Sequence, residues 1–518
     1  MNGNVPEAGA PSGTRWFAGS ARTGLTWTAV ALAAMLMACS SDGRGGPVRP
    51  RPSDVDGAWR SAGYGSVYVI RQNEHGGART LSAYETSGTS CVGDDQLTAL
   101  GSERGSSGAV TFGADGDREL TVRRQGDHLI VQEFGSVGHI RMNRLKALPH
   151  CPSETPGEGP ARRLKTLDQF WQNLSQHYPP YAHRRLALGD RERDYATLKR
   201  DNTDRTLEAL LRGTVHKLGD MHTGITWKDG SSYGLRPGTR DSADLTDADT
   251  AAVRSAIEGG LGAELRPVIE EKLEYATGLP GGMGYLRITQ LDELGGEESS
   301  YDDDLARFKD ALDTVFIQGA RDHWRGLILD LRLNDGGHDA LGQELASRLT
   351  RYPHVAFKKR ARDLNAPSGF TPYETVNVGP GRSPGFHGRL ALLVSDLTVS
   401  AGETTAMTLL NRSPAPALIG RETQGIFSDQ LSRTLPGGFS LDLSNEDYRD
   451  STGQSFEGRG LPVAARFRTP VFTSAELDNG CDSALAKALD HLRHRKLGAT
   501  PRCPSGSRGE RRSPDPAG

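Results

Sequence analysis

The sequence predicts a mixed α/β fold that is preceded by a smaller β-rich region. From Gly284 onward, short apolar runs alternate with amphipathic segments, which is typical of alternating strands and helices in a layered α/β core. Residues 56–152 instead mix β-branched and apolar residues with polar ones between Gly- and Asp-rich turns, which indicates short strands. At 518 residues, the chain is too long for one ordinary domain. We therefore expect several structural parts.

The core elements follow from the apolar runs and their lengths. Some of these runs are nearly continuous, as strands that are buried on both faces should be. We predict strands over 284–288, 326–333 and 390–395, and helices over 303–316, 339–349, 400–410 and 482–495. This alternation supports the layered α/β assignment.

Residues 160–228 are predicted to be a helical segment. Apolar residues recur there at helical spacing, and the stripe comprises Leu167, Phe170, Trp171 and Leu174. A second helix over 206–218 has Thr203 or Asp204 as its N-cap candidate. Residues 229–283 are polar with little periodicity, so we expect them to connect this segment to the core.

The N-terminus carries a processing signal. Arg15 and Arg22 precede an apolar run over 25–38 that is too short to span a bilayer comfortably and has the length of a signal-peptide core. The run ends in Leu-Met-Ala-Cys, which resembles a bacterial lipobox with Cys39 as the lipidated residue. An ordinary signal peptide or a signal anchor with a chance cysteine is the alternative.

A lipidated Cys39 implies an exported protein on a membrane anchor, facing the periplasm of the bacterial cell envelope. Ser40 after the cysteine favours the outer membrane if the envelope is Gram-negative. The net charge of -3 gives no electrostatic reason to expect nucleic acid as a partner.

The four remaining cysteines form two sequence-local pairs. Three pairings are arithmetically open, and Cys91–Cys151 with Cys481–Cys503 is the one that needs no crossing between domains. None of these cysteines has the C-x-x-C spacing of a zinc site, so no metal is expected.

These patterns divide the chain into seven parts. They are a lipoprotein signal peptide (1–38), a flexible tether (39–55), a small β-rich domain (56–152), a helical segment (160–228), a connecting region (229–283), an α/β core (284–500) and a disordered tail (504–518).

Ser400 is a candidate nucleophile because it stands between a predicted buried strand and a predicted helix. A helix N-terminus offers unpaired N–H groups and partial positive charge, which favour an alkoxide or an oxyanion. Gly336 and Gly337 follow another buried strand, where glycine lets backbone N–H groups approach a ligand. Taken alone, Ser400 is better explained as an N-cap, and the glycine pair is better explained as a tight turn before a helix.

His222 and Glu457 are candidates of the same kind. A loop histidine titrates near neutrality and can act as a general base. A carboxylate such as Glu457 can orient an imidazole and stabilise its charged form. Position alone distinguishes neither residue from the other histidines and acidic loop residues.

Four segments resemble motifs of the C-terminal-processing (tail-specific) serine peptidases, whose relatives include the tricorn core protease and the interphotoreceptor retinoid-binding proteins. The DLRLNDGG run resembles the family's strand and oxyanion loop, and the TVSAGE run resembles its nucleophile motif. The LGDMHTGI run is similar to the motif of the branch that uses histidine as base. The FEGRGLPV run resembles the segment whose glutamate completes a Ser-His-Glu arrangement. The four occur in the family's order over 218–462.

The resemblance implies a serine-type peptidase that needs no cofactor. The implied roles are nucleophile for Ser400, general base for His222, orienting carboxylate for Glu457, and oxyanion donors for Gly336 or Gly337 together with Ala401. It also implies a crotonase-like layered β/α spiral core, preceded here by the helical segment and the β-domain. The implied substrates are peptides or unfolded protein tails.

The chain departs from the family pattern at two places. A second branch carries a lysine about two dozen residues after the serine, where this chain has Ile426. No lysine occurs between Ser400 and Lys487, which favours the histidine branch. The tricorn-like serine just before the histidine is Met221 here, and this leaves Thr223 as a candidate auxiliary group.

Other functions are compatible with the same fold. The first is a non-catalytic lipoprotein that binds peptides or apolar ligands, as the retinoid-binding relatives do. The second is an interaction protein that acts through its β-domain. Acyl-CoA chemistry is disfavoured because an exported protein would not meet that substrate.

Overall fold

A computed structural model describes residues 55–493 except 74–76, 88–90, 101–107, 148–157, 183, 185–188, 236–244 and 246–248. The predicted signal peptide, the lipidation site Cys39 and the tail over 504–518 lie outside the described residues, as does the tether apart from its last residue. The predicted disulfide partners Cys151 and Cys503 also lie outside them. Cys91 and Cys481 are both disulfide-bonded.

The first eight strands form a closed antiparallel barrel, because β1 pairs with both β2 and β8. The strands are β1 (Gly57–Ser61), β2 (Ser66–Arg71), β3 (Thr80–Thr86), β4 (Cys91–Ala99), β5 (Val110–Ala114), β6 (Asp117–Gln125), β7 (His128–Glu133) and β8 (Ile140–Arg144). Trp59 fills the interior with Phe112 and Leu129, and all three are fully buried. The Trp59 indole N–H donates to the Val55 carbonyl at 2.9 Å.

A second part of the structure consists of three helices and a four-stranded antiparallel sheet. The helices are α1 (Pro160–His177), α2 (Gly189–Arg200) and α3 (Asp204–Leu218), and the sheet has the order β10 (Ser232–Gly234), β9 (Gly224–Thr226), β20 (Phe439–Ser444) and β19 (Gln430–Leu435). The Thr203 side chain caps α3 by accepting from the Thr206 N–H. Gly219 ends α3 at φ 63°, a left-handed conformation that suits glycine. The chain then turns through His222 into β9.

A six-stranded mixed sheet forms the centre of the main core. Its order is β11 (Arg266–Ile269), β12 (Leu273–Leu279), β13 (Met283–Ile288), β14 (Gly326–Asp330), β17 (Arg389–Val394) and β18 (Ala417–Gly420), and the last four strands are parallel. The remaining elements are α4 (Thr250–Leu261), α5 (Tyr301–Arg321), α6 (Asp339–Leu349), β15 (His354–Lys359), β16 (Glu374–Val378), α7 (Ala401–Leu410), α8 (Ser474–Asp478) and α9 (Ser483–Leu492). Among the described helices, none is long and apolar enough to cross a membrane.

The predicted core elements differ from the observed ones mainly at their ends. Strand β14 stops at Asp330 rather than at residue 333, because the Asp330 carboxylate accepts from the Arg332 backbone N–H and turns the chain. Strands β11 and β12 lie inside the region predicted to be a connection. Buried Glu274 and the Thr277-Gly278 pair interrupt the apolar run of β12, so the apolar pattern did not predict a strand there.

Candidate active site

Ser400 and the Gly336-Gly337 pair meet because they follow the carboxyl ends of the adjacent parallel strands β17 and β14. Ligand sites in α/β sheets commonly lie at this edge. A Cβ atom on Gly336 would lie 2.7 Å from the Ser400 Cβ, which shows how closely the two segments approach. Glycine is therefore required at residue 336.

Ser400 has a strained backbone at the start of α7, with φ 53° and ψ -122°. Few residues other than glycine adopt a positive φ, and such strain is concentrated at functional sites. The Ser400 N–H donates to the Ile426 carbonyl at 3.1 Å, while its side chain makes no capping hydrogen bond. The hydroxyl is thus presented outward from the helix terminus and is not used as an N-cap.

The hydrogen bonds near Ser400 reduce the number of backbone N–H groups that can form the predicted oxyanion hole. The Gly336 N–H donates to Asn334 Oδ1 at 3.1 Å, so it is already engaged. Within the described part of the chain, the N–H groups of Gly337 and Ala401 have no hydrogen-bond partner. Of the predicted donors, Gly337 and Ala401 are therefore the pair that can receive an oxyanion.

Asn334 joins the glycine loop to the nucleophile segment. Its side chain is fully buried and donates to the Ile288 carbonyl at 3.1 Å, while its backbone carbonyl accepts from the Val399 N–H at 2.9 Å. A Cβ on Gly402 would lie 2.4 Å from Asn334 Oδ1. This asparagine was part of the quoted motif but received no role from the sequence.

His222 lies in the turn between α3 and β9, and its backbone N–H donates to Asp220 Oδ1 at 3.0 Å. Its Nδ1 lies 2.5 Å from the Ser428 carbonyl oxygen, which can only accept a hydrogen bond. Nδ1 therefore carries the proton, and Nε2 is the basic nitrogen. Burial lowers the pKa of His222, and the nearby Asp220 charge opposes that shift.

Ser400 and His222 share no hydrogen bond within the described residues. Ser428, whose carbonyl holds the imidazole, nevertheless lines the same cavity as Ser400. The imidazole therefore sits behind one wall of this cavity.

Among the described residues, no hydrogen bond joins Glu457 to the imidazole, whereas the sequence predicted that Glu457 orients His222 directly. One of its oxygens accepts from the N–H groups of Phe427 and Ser428 at 2.9 and 3.1 Å. The other accepts from Arg184. Burial raises the pKa of Glu457, and the charge of Arg184 opposes this effect most strongly. Glu457 thus reaches His222 through the Ser428 backbone.

Arg184 is the residue that sequence reasoning missed. Its guanidinium is buried and contacts both Glu457 and Asp220, the latter at 3.6 Å. It also donates to the Gly219 and Gly425 carbonyls at 3.2 and 2.9 Å. The sequence around it offers no signal, because Arg184 stands among other basic residues and outside every motif.

Two further residues of the quoted motifs are buried in the site, and they differ in their hydrogen bonds. Glu403 is fully buried and accepts from the N–H groups of Gly425 and Ile426 at 2.8 and 2.6 Å, which holds the segment behind Ser400. The candidate auxiliary Thr223 is also fully buried. Among the described residues, its hydroxyl has no hydrogen-bond partner, so it makes no hydrogen bond to His222.

A cavity of about 230 Å³ lies beside Ser400. Gly337 and Ser428 line it, and the barrel contributes a further wall through residues 133–136. The nucleophile candidate and the oxyanion donor Gly337 therefore share one enclosed space.

Comparisons with known proteins give one family match and several similar structures. Residues 282–463 match the model of peptidase family S41. No curated protein matches the chain. A putative peptidase from Parabacteroides merdae ATCC 43184 is similar in structure, with 17% identity, a TM-score of 0.51, and coverage of 66% of this chain and 98% of that one.

Two other solved structures are more distant. Mature CPAF complexed with lactacystin is 12% identical, with a TM-score of 0.46, and covers 64% of this chain and 97% of its own. The photosystem II D1 C-terminal processing protease is 16% identical, with a TM-score of 0.39, and covers 60% of this chain and 93% of its own. Of these three structures, the Parabacteroides peptidase has a TM-score above 0.5, and this likeness shows a shared fold.

The matched region contains the glycine loop, Ser400 and Glu457, whereas His222 precedes it. Residues 282–463 belong to peptidase family S41, and the chain is a serine-type peptidase.

Proposed function

We propose that this chain hydrolyses peptides or protein C-terminal tails in the bacterial cell envelope, with Ser400 as nucleophile and His222 as general base. The observation that carries the proposal is the strained Ser400 at a helix N-terminus, beside two backbone N–H groups that have no partner among the described residues. Such a combination suits acyl transfer, because donors are already in place where negative charge develops.

The proposed reaction has two halves. The Ser400 Oγ attacks the peptide carbonyl carbon, and its proton passes to His222 Nε2. The carbonyl oxygen becomes negative and accepts from the Gly337 and Ala401 N–H groups. The tetrahedral intermediate then expels the amine, which takes the proton from His222. Water repeats the sequence on the acyl-enzyme and releases the carboxylic acid.

The carboxylate of Glu457 has a supporting role in this proposal. It fixes the Ser428 backbone, whose carbonyl accepts from His222 Nδ1–H and so keeps Nε2 unprotonated. The contact between Ser400 and His222 is expected to form when substrate binds, since catalytic hydrogen bonds commonly tighten in the complex.

A fluorophosphonate probe tests the nucleophile directly. The folded protein should be labelled on Ser400 and should cleave a peptide library, and both properties should vanish in Ser400→Ala. His222→Gln should reduce the labelling rate by roughly 10²–10⁴-fold. Ser368→Ala, which changes an exposed loop serine, should behave like the wild type. Folded wild-type protein that is neither labelled nor active would favour the non-catalytic binding lipoprotein.

The envelope location rests on the lipobox alone. Expression in a Gram-negative host with tritiated palmitate should label the wild type but not Cys39→Ser. Unlabelled wild-type protein that stays in the cytosol would contradict the anchor and leave the peptidase proposal intact.

A further inference from the structure

The cavity beside Ser400 has acidic walls from three distant parts of the chain. Glu133 ends strand β7 of the barrel, Asp339 begins helix α6, and Asp429 precedes strand β19. Ser400 and the Gly337 N–H, which has no partner in the described part of the chain, share this cavity, and this indicates a substrate site independently of the carboxylates.

None of these three carboxylates is paired with a cation in the described part of the chain. The Glu133 side chain makes no hydrogen bond or ion pair with another described residue, and it is exposed to the cleft. Asp339 accepts from the hydroxyls of Thr404 and Tyr448 at 2.5 and 3.3 Å. Asp429 accepts from the Ser136 hydroxyl at 3.0 Å and from the Gln430 backbone N–H at 2.9 Å, and both donors are neutral.

The carboxylates in and beside the cavity outnumber the nearby cation Lys359, whose charge opposes the pKa shifts of Glu133 and Asp339 only in part. The nearby cation Lys359 is bonded to a fourth carboxylate, Glu446, at 3.1 Å. Partial desolvation in the cleft raises the pKa of Glu133 to about 7 and that of Asp339 to about 6, and the charge of Asp429 adds to both shifts. A cation that enters this cavity would therefore gain favourable interactions with several carboxylates.

The barrel wall is a fixed part of this cavity. The Ala340 N–H at the start of α6 donates to the Gly135 carbonyl at 3.0 Å, and the Ser136 hydroxyl donates to Asp429 at 3.0 Å. A Cβ on Gly135 would lie 2.4 Å from His338 Nδ1. These contacts hold Glu133 beside the nucleophile, although the barrel lies outside the matched peptidase region.

The arrangement suits an organic cation better than a metal ion. Among the described residues, no three acidic, histidine or cysteine side chains converge as metal ligands. Lysine and arginine carry a charge at the end of a flexible apolar stem, which can place that charge among spread carboxylates.

We propose that the cavity binds a lysine or arginine side chain of the substrate next to the scissile bond, with Glu133, Asp339 and Asp429 as its acidic walls. This inference rests on the proposed function, because it assumes that Ser400 attacks a peptide bound in the same cavity. It assigns to the barrel a part in substrate selection.

A peptide library with random sequence, analysed by mass spectrometry, tests the preference. Cleavage sites should be enriched in lysine and arginine beside the cut bond. The best-cleaved arginine peptide is then compared with the same peptide carrying citrulline, which is neutral and nearly the same shape. The wild type should show a kcat/KM about ten-fold or more higher for the arginine peptide.

Variants assign the preference to the acidic wall. Glu133→Gln should lower kcat/KM for the arginine peptide about ten-fold and change the citrulline peptide little. Folding should be preserved, because the Glu133 side chain makes no hydrogen bond or ion pair among the described residues and the strand pairing of its backbone is unchanged. Asp127→Asn is the matched control, since Asp127 is a fully exposed barrel carboxylate whose ion-pair partner is Arg124. It should leave both peptides unaffected.

Two outcomes would overturn the inference, and they can be told apart. If the probe labels Ser400 but cleavage sites show no cationic preference, or if Glu133→Gln slows both peptides equally, the inference fails and the peptidase proposal stands. If folded protein is neither labelled nor active on any library peptide, both fail together.

Discussion

The two halves of the candidate site are built in different ways. The nucleophile half, which comprises the glycine loop, Ser400 and Ala401, follows two adjacent parallel strands and works mainly through its backbone. The base half comprises His222, Asp220, Arg184 and Glu457, which come from separate parts of the chain. Their side chains hold one another through hydrogen bonds and buried charges.

This difference has a physical consequence. The nucleophile half depends on allowed backbone angles and close packing, so an added methyl group should disable it. The base half depends on charge balance, so removal of one charge should destabilise it. The following predictions test this contrast, from the largest expected effect to the smallest.

The largest effect is expected from Gly337→Ala in the nucleophile half. Residue 337 has φ 117°, and an added Cβ would lie 2.4 Å from the Leu291 carbonyl carbon. The backbone must move, which displaces the Gly337 N–H, and the loss of one oxyanion donor costs roughly 10²–10³ in kcat. Steady-state kinetics on a cleaved peptide measure this loss.

The matched control is Gly369→Ala. Residue 369 also has a positive φ, of 72°, but an added Cβ there would meet nothing within 4 Å. This variant should retain activity. Full activity of Gly337→Ala would show that the donor is not Gly337.

In the base half, Arg184→Met should act mainly on stability. The substitution leaves Asp220 and Glu457 buried without their cation, which costs about 3–5 kcal/mol for a broken buried pair. Urea unfolding monitored by fluorescence measures the change. Arg191→Met is the control, because its pair with Asp168 is partly exposed and such pairs contribute about 0–1 kcal/mol. Equal losses of unfolding free energy in the two variants would contradict the proposed dependence of the base half on its buried charges.

The pH dependence of kcat/KM should reflect the burial of His222. Its imidazole must be neutral to accept a proton, and burial lowers its pKa below 6.5. The acidic limb of the pH profile should therefore lie below pH 6.5. Asp220→Asn should move the limb lower still, because the Asp220 charge raises the pKa of His222. A limb above pH 6.5, or one that Asp220→Asn moves upward, would contradict His222 as the base in this environment.

The smallest effect is expected from Thr223→Val. The Thr223 hydroxyl is buried and has no partner within the described residues, so its removal should change the free energy of unfolding by less than about 1 kcal/mol. Activity should stay within about two-fold of the wild type, as for a residue with no catalytic contact. A loss of more than about ten-fold, with unchanged stability, would assign Thr223 an auxiliary role beside His222.

Local sequence rules predicted much of the nucleophile half. Helix α6 has its predicted bounds, Asp339–Leu349, and Thr203 is the N-cap of α3. Helix α7 begins at Ala401, one residue after the predicted start at Ser400. These features depend on residues that are close in the chain, so periodicity and capping preferences are sufficient to find them.

The sequence by itself determined the alternation of strands and helices and the residue types of a serine peptidase. The tertiary structure alone decided that the Gly336 N–H is engaged, that Glu457 binds Arg184 instead of His222, and that Glu133 lines the cavity. The physical reason is distance along the chain. Arg184 and Glu457 are 273 residues apart, and Ser136 and Asp429 are 293 apart. No local pattern records such contacts, because long-range packing establishes them only when the chain folds.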